Sequence, residues 1–513
     1  MNKNNIKTLQ ELVVASAEEY GDKIFLKEKH GKDVSEKSFN EFCSDVRKMT
    51  AWVNSVRGDG NPVKAAVIGS SSYAWLVSYF GTVCGGNAAV PLDAQLCSAD
   101  ISELLNRSDS EIFFYDARYE SMIPEIKENC PDIREYVSFG NDFQKILDGN
   151  QPVEFTPVDP SALAAISYTS GTTGKSKGVM LLNSNLIDNA MCQDNESTPE
   201  DVVMSVLPIH HIYCFTCDIL LSLRYGSELC LNDSMMRIPQ NLKLYRPTVI
   251  LLVPMIAETM YKQIKAVSAS KPDISLKDIA DAVFGGRLKT IYSGGAYLRP
   301  ELQRAYMDMG IQMAQGYGMT ECSPRISTAD RFDTECAGDV GVIVNGCQVR
   351  TEDGEIMVKS PSVMAGYYKD EQATAEALTP DGWLHTGDLG YVDEKNRIFI
   401  TGRKKNLIIL SNGENVSPEE LENKFAGSDY ISEILVYSDD SVICAEIFPN
   451  TDLYPDCSGE ELERKFREAV DRINKTVPPA KAVRRLRIRD TEFEKTTSKK
   501  IVRRQSVQGR IIK

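Results

Sequence analysis

Apolar residues along this chain keep to two alternating rhythms. Leu9, Leu12, Val13 and Ala17 recur at helical spacing, and Phe39, Phe42, Val46, Met49 and Val53 repeat it, so residues 6–56 predict mostly helix. Short continuous apolar runs at 63–68, 88–92 and 112–115 then read as buried strands, separated by helical stretches at 73–84 and 101–106. Further runs of the same kind occupy 162–167, 179–182, 202–207, 248–253 and 288–292. Strands alternating with helices predict an α/β fold, a mostly parallel sheet with helices on its faces. Residues 338–368 differ: Val, Ile and Tyr alternate with glycine turns, as in hairpins.

From about Lys405 the pattern reads as a separate α+β unit. A strand at 408–410 precedes a loop at 411–418, and Ser417, Pro418, Glu419 and Glu420 open a helix with a cap, a first-turn proline and acidic residues. Strands at 434–437 and 442–448 flank Asp439 and Asp440, and 460–475 is a charged amphipathic helix. No internal repeat or low-complexity segment interrupts this order.

Bulk properties narrow the picture. A chain of 513 residues is too long for one ordinary core, so two or more domains are expected. A net charge of −15 argues against nucleic acid or an anionic membrane as the main partner. The basic cluster of Lys481, Arg484, Arg485, Arg487 and Arg489 reads as a solvated or phosphate-facing patch. Thirteen scattered cysteines form no pairing framework; Cys214 and Cys217 make one CxxC within an apolar run, with no second pair to complete a zinc site. No secretory leader is evident and no run reaches the roughly 18 apolar residues of a membrane span, so a cytoplasmic location is expected.

The chemistry concentrates at residues 168–179, YTSGTTGKSKGV, which hold three glycines, two lysines and five serines or threonines between two apolar runs. Successive backbone N–H groups in such a turn can cradle an anion, and Lys175 and Lys177 add positive charge. The usual phosphate loop is not matched: it needs a glycine five positions before the glycine of its Gly-Lys pair, and Thr169 stands there. This loop also runs from strand to strand. A flexible hairpin is the alternative reading. Of the four histidines, His210 and His211 are adjacent in LPIHHIY, but neighbouring side chains diverge, which disfavours a metal pair.

The order YTSGTTGKSKGV resembles the signature loop of the adenylate-forming superfamily, which contains acyl-CoA synthetases, amino-acid-adenylating domains and luciferases. Further motifs follow in the family's order over nearly the whole chain: LPIHH, SGGA at 293–296, QGYGMTE at 315–321, HTGD at 385–388, and EKTTSKKI at 494–501. The resemblance implies that Thr169, Ser170, Gly171, Thr172, Thr173, Gly174 and Lys175 hold the β- and γ-phosphates of ATP. It implies that Gly294, Gly295 and Ala296 lie beside adenine and acyl group. Gln315, Gly316, Tyr317 and Gly318 would carry the adenine-stacking ring, Thr320 would bond a phosphate oxygen, and Glu321 would hold Mg²⁺, which favours carboxylate and phosphate oxygens. Asp388 would accept the ribose hydroxyls, and Arg403 would touch the ribose or α-phosphate.

By the same resemblance His211, Tyr213, Gly295, Pro324 and Arg325 line the acyl pocket. Arg325 either recognises a polar or anionic group on the acid or faces solvent. Ile212 and Tyr213 stand where amino-acid-activating relatives carry an Asp, which disfavours an amino-acid substrate; Asp218 reads as structural. Lys500 would bridge the substrate carboxylate and α-phosphate, with Lys499, which replaces the usual glycine, as a competitor. A hinge at Lys405 would divide an N-terminal domain, 1–402, from a mobile C-terminal domain, 403–513, and would bring Asn412 and Gly413 to the pantetheine tunnel. The implied activity is an AMP-forming acid–CoA ligase acting on a fatty or other acyl acid, with ATP, Mg²⁺ and CoA. Two alternatives are a ligase loading a separate acyl carrier protein and a non-catalytic nucleotide-binding relative.

Overall fold

The computed structural model describes residues 5–57, 60–169, 176–193, 197–330, 335, 338–410, 415–425, 428, 430–439, 442–450, 459–495, 501–503 and 510–512. The chain packs as two units. The first comprises Met1–Val349, Val358–His385 and Glu394–Ile398; the second comprises Arg350–Met357, Thr386–Asp393 and Phe399–Lys513. Among the described residues no helix is long and apolar enough to cross a membrane.

Two large mixed sheets organise the first unit. In the nine-stranded sheet, Gln312–Gly318, Thr290–Ser293, Val249–Leu252, Val202–Ser205, Glu228–Leu231 and Ile24–His30 lie side by side and parallel. Antiparallel strands finish it at both ends: Asp33–Ser38 on one side, Arg325–Thr328 and then Val342–Ile343 on the other. The seven-stranded sheet repeats the plan. Its parallel core is Leu163–Thr169, Ala88–Leu92, Lys64–Ile68, Ile112–Tyr115 and Glu135–Ser138, and Lys177–Leu182 followed by Gly366–Tyr367 closes one end antiparallel. The parallel strands are apolar along their length because helices cover both faces; Ala88–Leu92, Ile112–Tyr115 and Val249–Leu252 are buried at every position.

Local signals start the helices. Thr8 and Glu11 form a capping box at Leu9–Tyr20, and Ser38 and Glu41 form another at Phe39–Val56. Between these helices the expectation of mostly helix over residues 6–56 is corrected. Ile24–His30 and Asp33–Ser38 form a hairpin, because Phe25 and Leu26 are buried at the sheet and Leu26 pairs with Leu229, a partner about two hundred positions away. Tertiary pairing here overrides the helical spacing on either side. Aromatic packing then fixes the helix Tyr73–Val83: Phe215 meets the rings of Tyr79 at 4.3 Å and Phe80 at 5.7 Å.

In the second unit, a sheet of Ile431–Asp439, Val442–Pro449, Arg485–Ile488 and Arg510–Ile512 is covered by Pro418–Phe425 and Gly459–Asn474. Phe425, Phe466, Val436 and Ile447 are at the centre of its core. Most residues of a second four-stranded sheet, ordered Gln348–Glu352, Glu355–Lys359, Leu384–Val392 and Ile398–Arg403, also fall in this unit.

Candidate active site

Adjacent parallel strands put their carboxyl ends along one edge of a sheet, and ligands of open α/β sheets bind there. In the nine-stranded sheet this edge gathers residues far apart in sequence. Ser205 leads into the turn that carries His211 and Tyr213; Ser293 leads into Gly294, Gly295 and Ala296; Gln315–Gly318 leads into the turn Thr320–Cys322. The hydroxyl end of the Tyr213 ring packs against Gly294: a Cβ on that glycine would stand 3.0 Å from the ring and 3.1 Å from the hydroxyl. A side chain at Gly294 would require the Tyr213 ring to give way. Tyr213, Cys217, Val253, Ile256 and Tyr292, all partly buried, surround Leu207, Cys214 and Leu251 and give the site an apolar wall.

The strand carrying Tyr317 turns back sharply. Gly318 pairs antiparallel with Arg325, and a Cβ there would stand 2.0 Å from the carbonyl oxygen of Pro324, so no larger residue is accommodated. Glu321 sits in the resulting turn with 8% of its surface exposed. The Tyr367 hydroxyl donates to Glu321 Oε1 at 2.9 Å. Burial, followed by the neighbouring Glu321 charge, pushes the Tyr367 phenol far above its ordinary pKa, which keeps it a donor. The 363–368 segment reads as structural hairpin from sequence alone, and nothing in its alternation marks Tyr367.

Several expectations are sharpened. His211 is exposed, and its Nδ1 accepts from the Tyr213 N–H at 3.3 Å as the cap of a short helix. His210 is the partly buried member of the pair, with Nε2 3.9 Å from Asp93 Oδ2; burial lowers its pKa and Asp93 opposes that shift. Arg325 does not face solvent. It is 5% exposed, its Nε donates to Asn189 Oδ1 at 3.3 Å, and its Nη2 donates to the Asn189 carbonyl. Asn189 in turn donates to the carbonyls of Cys322 and Arg325 at 3.0 Å. Asp218 is fully buried behind the wall; desolvation raises its pKa to about 7, opposed by Ser205 and Cys214.

The signature segment runs from strand to strand as expected: Leu163–Thr169 and Lys177–Leu182 are antiparallel, with Thr169 opposite Lys177. Lys177 is the first residue of the second strand, and its Nζ lies 4.8 Å from the centre of the Tyr367 ring. Ser170, Gly171, Thr172, Thr173, Gly174 and Lys175 lie outside the described residues, as do Asn412, Gly413, Lys499 and Lys500.

In the second unit, Asp388 and Arg403 are brought together, with Arg403 Nε 2.7 Å from Asp388 Oδ1. Asp388 is 3% exposed and its N–H donates to Thr386 Oγ1 at 3.1 Å. Beside them Lys404 pairs with Glu355 at 2.8 Å, and Glu355 also accepts from the Gly387 N–H at 2.9 Å. Lys405 is exposed in the short turn Lys404–Asn406.

The described residues hold no group of three or more His, Cys, Asp and Glu side chains able to cage a metal. A single carboxylate, Glu321, fits Mg²⁺, which commonly takes one or two carboxylates and completes its shell with phosphate oxygens and water.

The family model described as AMP-binding enzyme matches residues 13–368, and that described as AMP-binding enzyme C-terminal domain matches residues 405–509. The chain belongs to the AMP-binding enzyme family. This is the adenylate-forming superfamily that the motifs resemble. Among curated relatives, the chain is 29% identical over 432 residues to long chain acyl-CoA synthetase 7, peroxisomal, of Arabidopsis thaliana; the match covers 71% of this chain and 61% of that protein's length. It is 27% identical over 399 residues to 4-coumarate–CoA ligase 1 of the same plant, covering 71% and 69%. The fold is similar to that of ATP-bound MatB from Rhodopseudomonas palustris, with a TM-score of 0.82, 22% identity, and 96% and 97% of the two chains covered.

Proposed function

We propose that this member of the AMP-binding enzyme family is an AMP-forming acid–CoA ligase. The observation that carries the proposal is the edge of the nine-stranded sheet, where an apolar wall at Tyr213 and Gly294 adjoins a turn presenting Thr320 and Glu321. An acid with an apolar body suits that wall, which favours a fatty or other acyl acid over an amino acid. Arg325, fixed by Asn189, is the group assigned to a polar or anionic substituent on the acid.

In the first step an oxygen of the substrate carboxylate attacks the α-phosphorus of ATP, the bond to the bridging oxygen breaks, and pyrophosphate leaves. Two anions meet, so positive charge and N–H donors must be in place beforehand. Residues 169–175, with Lys175, hold the leaving pyrophosphate; Thr320 bonds a phosphate oxygen; Lys500 bridges the carboxylate and the α-phosphate. Mg²⁺, held through Glu321, supplies neutralisation of phosphate charge when bound. Tyr317 stacks on the adenine, and Asp388 and Arg403 take the ribose. In the second step the thiol sulfur of CoA attacks the acyl carbon, the thiol proton is lost, and AMP leaves. Rotation of the 403–513 domain about Lys405 removes Lys500 and brings Asn412 and Gly413 to the pantetheine. A cytoplasmic location accompanies this reading.

ATP–pyrophosphate exchange with a panel of carboxylic acids tests it. Exchange that depends on a particular class of acid is expected, followed by thioester formation with CoA. Thioester formation only with a carrier protein would transfer the reading to a carrier-loading ligase, and absence of exchange with every acid would overturn it.

A further inference from the structure

Three described elements converge behind Glu321. The two-residue strand Gly366–Tyr367 pairs antiparallel with Lys177–Leu182, with Tyr367 opposite Val179, and the Tyr368 N–H donates to the Gly178 carbonyl at 2.7 Å. On its other side the Tyr367 N–H donates to Thr374 Oγ1 at 2.9 Å. The same segment is tied to the Glu321 turn, because the Met364 N–H donates to the Glu321 carbonyl at 2.8 Å. Tyr367 is therefore held by the backbone of the neighbouring strand on one side and by the Thr374 hydroxyl on the other, and it is 8% exposed. Its two chemically distinct parts point at two different groups. The hydroxyl donates to Glu321 Oε1 at 2.9 Å, and the ring face receives Lys177 Nζ at 4.8 Å from its centre.

We infer that Tyr367 is a positioning residue for the metal–nucleotide end of the site, orienting the Glu321 carboxylate through its hydroxyl and seating Lys177 against its ring. The inference rests on the reading of Glu321 as the carboxylate that meets Mg²⁺·ATP. A carboxylate has two oxygens, and a buried one turns until its acceptors find donors. With Oε1 committed to the phenol, the rotation of the group is set before the cation arrives. Partners of this kind, one bond removed from the metal, orient its ligands, and their loss commonly costs about 10–100-fold in metal affinity. The ring does a separate job. A lysine ammonium over an aromatic face is held by the ring quadrupole, so the cation at the base of the 170–175 segment has a fixed place. One side chain thereby sets both the carboxylate that faces the metal and the lysine at the end of the phosphate-binding segment.

The two parts can be removed separately. ATP binding is measured by calorimetry across a range of Mg²⁺ concentrations, without acid, so that no turnover occurs. In Tyr367→Phe the ring remains and the hydroxyl is lost: the Mg²⁺ concentration giving half-maximal ATP affinity should rise about 10–100-fold, while ATP affinity at saturating Mg²⁺ stays near that of the wild type. In Tyr367→Leu both parts are lost, and ATP affinity should fall even at saturating Mg²⁺. Lys177→Met should reproduce that second loss while leaving the Mg²⁺ midpoint unmoved. A Tyr367→Phe protein that melts lower but keeps the wild-type Mg²⁺ midpoint would make the residue merely structural and overturn the inference alone. Wild-type protein that binds no ATP at any Mg²⁺ concentration would overturn the ligase reading along with it.

Discussion

Asp218→Asn should stabilise the larger unit at pH 8 far more than at pH 5. Asp218 lies in the π-helical turn Phe215–Leu220, fully buried, with the Cys214 thiol 3.6 Å from Oδ2 and no hydrogen-bond partner for Oδ1 among the described residues. Burial without enough donors penalises the charged form, and its pKa rises from 3.8 to about 7. The unfolded chain ionises this group near pH 4 and the folded chain only near 7. Between those values the fold holds a proton that the unfolded chain has released, so stability falls as pH rises, by about 1.36 kcal/mol per unit. From pH 5 to full ionisation above 7 the loss is about 3 kcal/mol by the same conversion. Asparagine carries no proton to lose and removes that slope. For a unit of roughly 380 residues, with an unfolding entropy of about 2.1 cal/mol/K per residue, the difference corresponds to about 3–4 °C in melting temperature. Differential scanning fluorimetry of both proteins at half-unit steps from pH 5 to 8 reads it directly. The gap between variant and wild type should widen by that amount. A constant offset from any change in hydrogen bonding at the amide leaves the slope intact, so parallel curves across the range would refute a raised Asp218 pKa.

Gly318→Ala should cost about 3 kcal/mol, the upper end of the usual overpacking range, seen as a lowered urea midpoint, because its Cβ meets the Pro324 carbonyl and forces the Gly318–Arg325 pair apart; an unchanged midpoint would contradict the close approach. Arg325→Val should lower stability by about 1–3 kcal/mol through loss of the guanidinium hydrogen bonds to Asn189 and shift exchange toward acids lacking a second polar group; unchanged acid preference would leave Arg325 a purely structural residue. Lys500→Ala should abolish acyl-AMP formation yet leave conversion of supplied acyl-AMP and CoA to thioester, and equal loss of both half-reactions would refute that division of labour. Lys405→Pro should do the reverse, losing the thioester step and keeping pyrophosphate exchange; an unimpaired thioester step would remove the hinge.

What the sequence revealed and what it concealed divide along the range of the interactions. The parallel strands were legible because their burial on both faces leaves continuous apolar runs, as at Ala88–Leu92 and Val249–Leu252. The strand-to-strand course of the signature segment followed from apolar runs on either side of it. The hairpin at Ile24–Ser38 was hidden because its pairing with Leu229 and Cys230 lies far along the chain. Arg325 could be read as a solvent-facing residue only because Asn189, its partner, stands 136 positions away. Tyr367 escaped notice for a different reason: an aromatic in a glycine-rich hairpin carries no sign that its hydroxyl will meet a carboxylate 46 positions earlier. The composition of the second unit was equally obscure, since Arg350–Met357 and Thr386–Asp393 join Phe399–Lys513 only by packing.

The ends of the two large sheets have a consequence for the chain before it is fully folded. An open sheet of nine or seven strands offers two rows of unpaired backbone groups on which a second chain could build. Here three of the four outermost strands are poor templates, the fourth being Glu135–Ser138. Val342–Ile343 is two residues long and its outer side is already taken, because Val342 bridges Arg397 and the Ile343 N–H donates to the Asn396 carbonyl at 3.0 Å; Gly366–Tyr367 is equally short, and Asp33–Ser38 carries Asp33, Glu36 and Lys37, with Lys27 bound to Glu36 across the pair at 3.2 Å. A protein that must assemble many parallel strands from distant segments thus ends its sheets in edges that discourage intermolecular pairing, and the antiparallel finish at either end of the nine-stranded sheet serves resistance to aggregation as well as shape.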